Sequence, residues 1–222
     1  LSNNELTGAI PTGEENDSVN LKVMYLKGNA LEGNLPFFPK LQRVLAQRNQ
    51  LTSMDEKYAT EGQSLVYLYV YSNQLSGQLP SSWNTPNLEI FDVGFNSLEG
   101  PIGQDLWDLP ALKSLVVDNN RLTGTLPESS ANTLLSTVWL DANQLEGSIP
   151  SNFGSNWSNL TSLKLQGNGL TGTITDDHCS NWPTSDSTST EWELESDCNT
   201  DAVECSCCTM CFPERQRQNL RR

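Results

Sequence analysis

One polar position interrupts the apolar pattern of this chain at a nearly constant interval. An asparagine recurs at Asn4, Asn29, Asn49, Asn73, Asn96, Asn120, Asn143 and Asn168, with gaps of 25, 20, 24, 23, 24, 23 and 25 residues. Apolar residues surround it in a fixed order. In LVYLYVYSNQLSGQLP, residues 65–80, Leu65, Leu68 and Val70 lead up to Asn73, and Leu75 and Leu79 follow it. Alternation about Leu68 and Val70 predicts a short strand with one buried face. Equivalent inward sets are Leu21, Met24, Leu26 and Leu31; Leu41, Val44, Ala46 and Leu51; and Leu88, Phe91, Val93 and Leu98. Three more follow: Leu112, Leu115, Val117 and Leu122; Leu135, Val138, Leu140 and Leu145; and Leu160, Leu163, Leu165 and Leu170. No repeat can bury its own leucines. Stacked coils bury them together, at about 1.5–3 kcal/mol per fully buried side chain.

The asparagine marks the point where the chain leaves the strand. A turn there strands backbone N–H and C=O groups inside the stack, and an inward amide supplies both a donor and an acceptor for them. Gly8, Gly33, Gly77, Gly124, Gly147 and Gly172 then permit backbone that a side chain would obstruct. Pro11, Pro36, Pro80, Pro127 and Pro150 fix φ at the start of the opposite side. Short helical or 3₁₀ turns are expected in SSWNTPNL and SNFGSNWSNL. The stretch 52–64, TSMDEKYATEGQS, lacks the Gly-Ile-Pro signal and is expected to be irregular.

The predicted fold is therefore an α/β solenoid. It is a right-handed superhelix with a parallel concave β-sheet and a short 3₁₀, helical or irregular convex side. Residues 1–174 carry about eight repeats, the first one truncated. A cysteine-rich C-terminal cap spans 175–213, and 214–222 is a basic tail expected to be disordered. The opening LSNNELTGAIP reads as the second half of a repeat, so the chain is expected to be a fragment of a longer precursor.

Composition narrows the partners. Net charge is −14 overall; residues 1–213 carry −17 and the tail ERQRQNLRR returns +3. Such an acidic body repels phosphate backbones, which argues against nucleic acid. No apolar run is long enough to span a membrane. All six cysteines, Cys179, Cys198, Cys205, Cys207, Cys208 and Cys211, fall in the final segment. An even, clustered set predicts disulfides and an oxidising compartment, with the pairing left open. The spacing at Cys205, Cys207, Cys208 and Cys211 also admits zinc. Trp182, Trp192, Leu194 and Val203 supply apolar cover for the last coil.

The run LxxLxLxxNxLxGxIP across residues 1–174 resembles the plant class of leucine-rich repeats. That class builds ectodomains of receptor-like kinases, receptor-like proteins and polygalacturonase-inhibiting proteins. The ending SDCNTDAVECSCCTMCF resembles the cysteine-rich cap of leucine-rich-repeat proteins from diatoms and related algae. The resemblance implies a recognition protein at the cell surface or outside the cell.

Candidate binding residues come from the outward strand positions. One column reads Tyr25, Leu45, Tyr69, Asp92, Val116, Trp139 and Lys164; the next reads Lys27, Gln47, Tyr71, Gly94, Asp118, Asp141 and Gln166. Tyr67, Phe95, Arg43 and Arg48 flank them. Exposed aromatics on a rigid sheet are typical anchors, although cross-strand packing alone also explains them. Lys27, Arg43 and Arg48 stand toward the N-terminal end, and Asp92, Asp118 and Asp141 toward the other. Asp118 and Asp141 are expected to form a solvated acidic patch, because an open sheet face gives little desolvation. Paired carboxylates could serve acid–base or Ca²⁺ chemistry, but no further ligand motif accompanies them. His178 beside Cys179 is the one conceivable nucleophile pair, and adjacent side chains rarely meet productively. Asn16, Asn156 and Asn159 lie in glycosylation sequons.

The expected function is extracellular or cell-surface recognition of a peptide or protein ligand through the concave face, without catalysis, metal or cofactor. Alternatives are a secreted inhibitor of cell-wall-degrading enzymes, a cell-wall glycan binder, or a structural or adhesive wall protein.

Overall fold

The structure, a computed structural model, describes residues 1–12, 20–180, 193–197, 203–206 and 208–211. Asn16, Trp182, Trp192, Cys198, Cys207, the loop 184–190 and the basic tail lie outside the described residues, as do the side chains of Cys179 and Cys211.

Each coil contributes two strands, one on either side of its asparagine. Preceding it are β2 (Val23–Tyr25), β4 (Arg43–Leu45), β6 (Tyr67–Tyr69), β8 (Ile90–Asp92), β10 (Ser114–Val116), β12 (Thr137–Trp139) and β14 (Ser162–Lys164). These, with β16 (Glu193–Ser196) and β18 (Met210–Cys211), form one parallel nine-stranded sheet. After the asparagine come β1 (Thr7–Ala9), β3 (Ala30–Leu35), β5 (Gln50–Met54), β7 (Ser76–Gln78), β9 (Ser97–Pro101), β11 (Arg121–Thr123), β13 (Glu146–Ser148), β15 (Gly169–Ile174) and β17 (Val203–Cys205). They pair as three flanking three-stranded sheets. The molecule is a β-solenoid with little helix: α1 (Lys57–Thr60), α2 (Gln104–Trp107) and α3 (Asp176–Ser180).

The inward leucines meet in one continuous core running from Met24 to Val203. Leu21 departs from expectation. It remains 36% exposed.

The asparagines supply the hydrogen bonds that join coil to coil. Each of the seven from Asn29 to Asn168 donates through Nδ2 to the carbonyl three residues back and to the matching carbonyl of the preceding coil. Its Oδ1 accepts an N–H from that same preceding coil. Asn120, for example, bonds Val93 O and Val117 O at 3.1 Å each and accepts from Leu98 N at 2.9 Å. The residue before each asparagine turns left-handed: Arg48, Ser72, Phe95, Asn119 and Ala142 all have φ between 51° and 58°, and Gly28 and Gly167 fill the same place. Non-glycine residues resist that conformation. The paired amide on one side and the strand on the other hold them there.

The far side differs from the sequence-based expectation. SSWNTPNL and SNFGSNWSNL form turns, not helices. Their aromatic side chains enter the core. The Trp83 indole donates to Pro80 O at 2.9 Å and meets Phe91 edge-on at 4.9 Å. Trp107 stacks on Trp157 at 6.0 Å, with Phe153 edge-on against Trp157 at 4.9 Å. The stretch 52–64, expected to be irregular, instead holds the end of β5 and all of α1. Asp55 Oδ1 accepts from the Lys57 N–H at 3.0 Å. Tyr58 is fully buried, its hydroxyl donating to Pro36 O at 2.8 Å and its ring edge-on to Phe37.

That unusual coil opens the flank. β5 pairs with β3 as far as Met54, whereas one backbone bond, Gln74 N to Leu51 O at 2.8 Å, joins this coil to the next there. Between β11 and β13 the bonding continues through Gln144 N to Leu122 O and Glu146 N to Gly124 O. A cleft of about 450 Å³ results between β5 and β7, lined by Ser53, Met54, Ser76, Gln78 and Leu79 among others.

The last coil is a degenerate repeat. Leu163 pairs with Leu194 and Lys164 with Glu195, so the long sheet continues past residue 174. Leu194 and Val203 are buried. Cys205 and Cys208 form a disulfide with Cα atoms 5.7 Å apart, which takes two thiolates away from any four-cysteine zinc site.

Replacing Asn120 by Ala leaves the Leu98 N–H unpaired inside the stack and takes one of two amide donors from Val93 O and from Val117 O, which Asn96 and Asn143 still reach, at about 1–3 kcal/mol for the unpaired N–H and less for each weakened carbonyl. Asn4 bonds only to nearby Leu1 O and Ser2 O and is exposed. Urea denaturation should show a loss of about 3 kcal/mol for Asn120→Ala and under about 0.5 kcal/mol for Asn4→Ala. Equal losses would remove the ladder from its central place.

Candidate ligand-binding face

Because the strands of the long sheet stay in register, their outward side chains fall into columns. The central column runs Tyr25, Leu45, Tyr69, Asp92, Val116, Trp139, Lys164 and Glu195. Arg43, Tyr67 and Ile90 align one position to one side. On the other side, where strand gives way to turn, stand Lys27, Gln47, Tyr71, Gly94, Asp118, Asp141 and Gln166. Backbone bonds keep this third column in step, including Arg48 N to Tyr71 O and Phe95 N to Asp118 O, both 3.0 Å.

Tyr67, Tyr69 and Tyr71 leave one chain segment on the same side, each half-buried. The Arg43 guanidinium lies 5.3 Å from the Tyr67 ring centroid. The Trp139 indole donates to Ser162 Oγ at 2.7 Å, and the Lys164 ammonium lies 4.7 Å from its ring. Two strands separate Tyr69 from Trp139, a span of roughly 14 Å at ordinary strand spacing. Tyr25 and Phe95 are the most exposed aromatics of the face, at 46% and 55%. The left-handed backbone of Phe95 turns its ring outward. Lys27, Arg43 and Arg48 belong to the coils of β2 and β4, well apart from the three aspartates.

The aspartates correct the expected solvated patch. Asp118 is 5% exposed and Asp141 9%. The third column lies beside the asparagine turn, so neighbouring coils cover its side chains. Gly94 contributes directly: a Cβ there would collide with Asp118 Oδ1, so the missing side chain lets the Asp118 carboxylate lie down on the sheet. Asp118 Oδ2 accepts from Asn119 Nδ2 at 2.8 Å, and Asp92 Oδ1 from the Gly94 N–H at 3.2 Å. Burial pushes Asp92 up to about 7 against the Gly94 bond, with repulsion from Asp118 adding to the rise. Asp141 also rises to about 7, through burial first and Asp118 second, with Lys164 opposing. Asp118 rises by burial despite its Asn119 bond.

Glu195 completes the far end and was not anticipated. It accepts from Gln166 Nε2 at 2.6 Å and approaches the Lys164 ammonium at 3.6 Å. Asp197 Oδ2 accepts from Gly167 N at 2.8 Å and Asn168 N at 3.3 Å. The polar–apolar alternation of ELES signals this strand, but no asparagine follows to mark it as a repeat. His178 is buried between Thr175 and Pro150 O, a packed structural histidine. Asn156 and Asn159 are exposed on the side opposite the long sheet, with Asn156 Nδ2 donating to Ser130 O at 2.7 Å.

The raised aspartates carry a linkage consequence. Between the unfolded value of about 3.9 and the folded values, the folded chain binds more protons, so stability falls as pH rises through that window. Thermal unfolding should show a lower midpoint at about pH 8 than at about pH 5. In Asp92→Asn/Asp141→Asn that difference should shrink by about 1 kcal/mol or more. An unchanged difference would contradict the burial assigned to these groups.

Comparisons with known proteins agree with the fold. The Leucine Rich Repeat family model matches residues 64–85 and 111–133. Receptor-like protein 32 of Arabidopsis thaliana is 31% identical over 196 residues, 73% of this chain and 22% of the relative. Receptor like protein 24 of the same plant is 28% identical over 184 residues, 68% of this chain and 21% of the relative. The chain thus spans about a fifth of the length of these curated relatives. Among solved structures, the plant peptide hormone receptor RGFR1 in complex with RGF2 superposes with a TM-score of 0.75 at 26% identity, covering 93% of this chain and 32% of that one. A TDR receptor gives 0.73 at 27% identity, covering 81% and 32%. No described helix is long and apolar enough to cross a membrane. The chain is a leucine-rich-repeat protein, similar in sequence and backbone to plant receptor-like proteins and receptor ectodomains.

Proposed function

We propose that this chain is an extracellular, non-catalytic recognition module that binds an extended peptide along the outward face of its long sheet. The observation that carries the reading is the shared face of Tyr67, Tyr69, Tyr71, Phe95 and Trp139, held in register on rigid strands. Tyr and Trp offer large amphipathic contact area with few torsions to freeze. Phe95 adds a second kind of signal. It keeps a large apolar ring exposed from a left-handed backbone position that glycine fills in two other coils. An unfavourable conformation retained at an exposed aromatic points to use.

One of the two solved receptors, a plant peptide hormone receptor in complex with RGF2, supports the ligand class. A sheet of this length accommodates about ten extended residues. The basic end at Lys27, Arg43 and Arg48 and the acidic middle at Asp92, Asp118 and Asp141 give the face a direction. An extended peptide with the matching charge order then binds one way round.

Single substitutions separate binding from folding. Tyr69→Ala and Trp139→Ala should each weaken peptide binding by about tenfold or more, measured by calorimetry with a peptide selected on the unmodified chain. Phe95→Gly should weaken binding while leaving the unfolding midpoint unchanged or raised, because it relieves a left-handed backbone costing about 1–2 kcal/mol. Unaltered affinity in all three would remove this face from the binding function.

A further inference from the structure

Three carboxylates converge on the middle of the face, none of them in a salt bridge among the described residues. Asp92 lies on β8, Asp118 follows β10 and Asp141 follows β12, on successive strands. Gly94 lets the Asp118 carboxylate settle on the sheet between Asp92 and Asp141. Tyr69 pairs in register with Asp92, and Tyr71 stands in the row of Gly94, so aromatic rings border the group on the β6 side. Among the described residues no basic side chain forms an ion pair with any of the three. The nearby Lys164 is held at Glu195 and over Trp139. A second observation is independent of the charge. Asp141 is nine-tenths buried and its Oδ1 has no hydrogen-bond donor, and on the adjacent rung the buried Gln166 Oε1 lacks one as well. Buried acceptors without donors are rare and costly.

We infer that this spot is a subsite for one cationic side chain of the ligand, an ammonium or guanidinium group seated between the β6 tyrosines and the carboxylates of Asp92, Asp118 and Asp141. The inference rests on the peptide-binding reading of the face and specifies its chemistry at one position. Lysine and arginine bring several donors and no acceptor, which suits a cluster of acceptors. Tyrosine faces attract the same cations. The subsite is also sensitive to acid. Burial holds Asp92 and Asp141 near neutrality, so protonation removes the negative charge as pH falls below about 7. The groups facing the cluster are Tyr69 from β6, Lys164 from β14 and Glu195 from β16. Among them the lysine favours the ionised carboxylates and the glutamate opposes them.

A display library of random peptides about ten residues long, selected on the unmodified chain and on Asp118→Asn/Asp141→Asn, tests this. Expected are binders with lysine or arginine fixed at one position on the unmodified chain and no such preference on the variant. Norleucine at that position should weaken binding to the unmodified chain by about tenfold and to the variant by less than about twofold. Affinity should fall about tenfold between about pH 8 and about pH 5.5 for the unmodified chain only. Gly94→Ala, which displaces the Asp118 carboxylate at constant net charge, should reproduce the loss if the double variant misfolds. Binders that depend on Tyr69 but show no basic preference would overturn the subsite and leave the broader reading standing. If no binder depends on Tyr69, both fail.

Discussion

The fold depends on satisfying backbone groups at a turn that water cannot reach. Every coil must leave the long sheet and enter the flanking one, and doing so leaves carbonyls and an N–H inside the stack. One amide side chain per coil answers that demand, because it alone among small side chains offers two donors and an acceptor in one plane. Its bonds run both within the coil and to the coil before. Local turn geometry and coil-to-coil spacing are therefore one constraint, and the left-handed residue before each asparagine is its by-product.

The same constraint organises the outer face. With each turn tied to the previous coil, the strands cannot slip, and outward residues remain in columns from Tyr25 to Glu195. A ligand lying along them meets side chains that need no backbone ordering, which lowers the cost of binding. The columns are not equivalent. The central one is half-exposed along most of its length, with Val116 and Glu195 buried, whereas the third abuts the ladder and is partly roofed by adjacent coils. Residues of similar chemistry consequently acquire different properties: Lys27 stays half-exposed at the end of the stack, while Gln47 and Asp118 are buried.

The repeated asparagine word made most of the fold legible, and the inward leucines followed from it. Exceptions arose where a position's meaning depends on its neighbours in space. Leu21 fits the pattern yet stays exposed. The tryptophans of SSWN and SNWS read as turn residues, yet their rings complete the far side of the core. Tyr58 lies in a stretch without the usual signal and draws α1 inward by burial. The flanking sheets escaped notice because their strands are three to six residues long and interrupted by glycine. Gly172 shows why that glycine is there: with φ at 96° any other residue is strained, and its Cβ would meet Ser148 Oγ at 2.6 Å. Of the site, the columns and the aromatics were readable from spacing. The burial of Asp118 was not, since it depends on the glycine one strand away.

That burial is hard to reconcile with a purely structural role. The same columns tolerate apolar or small residues, as Val116 and Gly94 demonstrate, and such residues at 118 and 141 would avoid both desolvation and like-charge repulsion. Surface carboxylates needed only for solubility have ample space elsewhere on a chain of net charge −14. Keeping three of them where the fold disfavours their charge lowers stability, the pattern expected where a site is shaped for something that arrives later. A bound cation would offset the repulsion and lower the carboxylates' proton affinity. Ligand occupancy, local ionisation and fold stability would then move together, since anything that binds the folded state preferentially stabilises it.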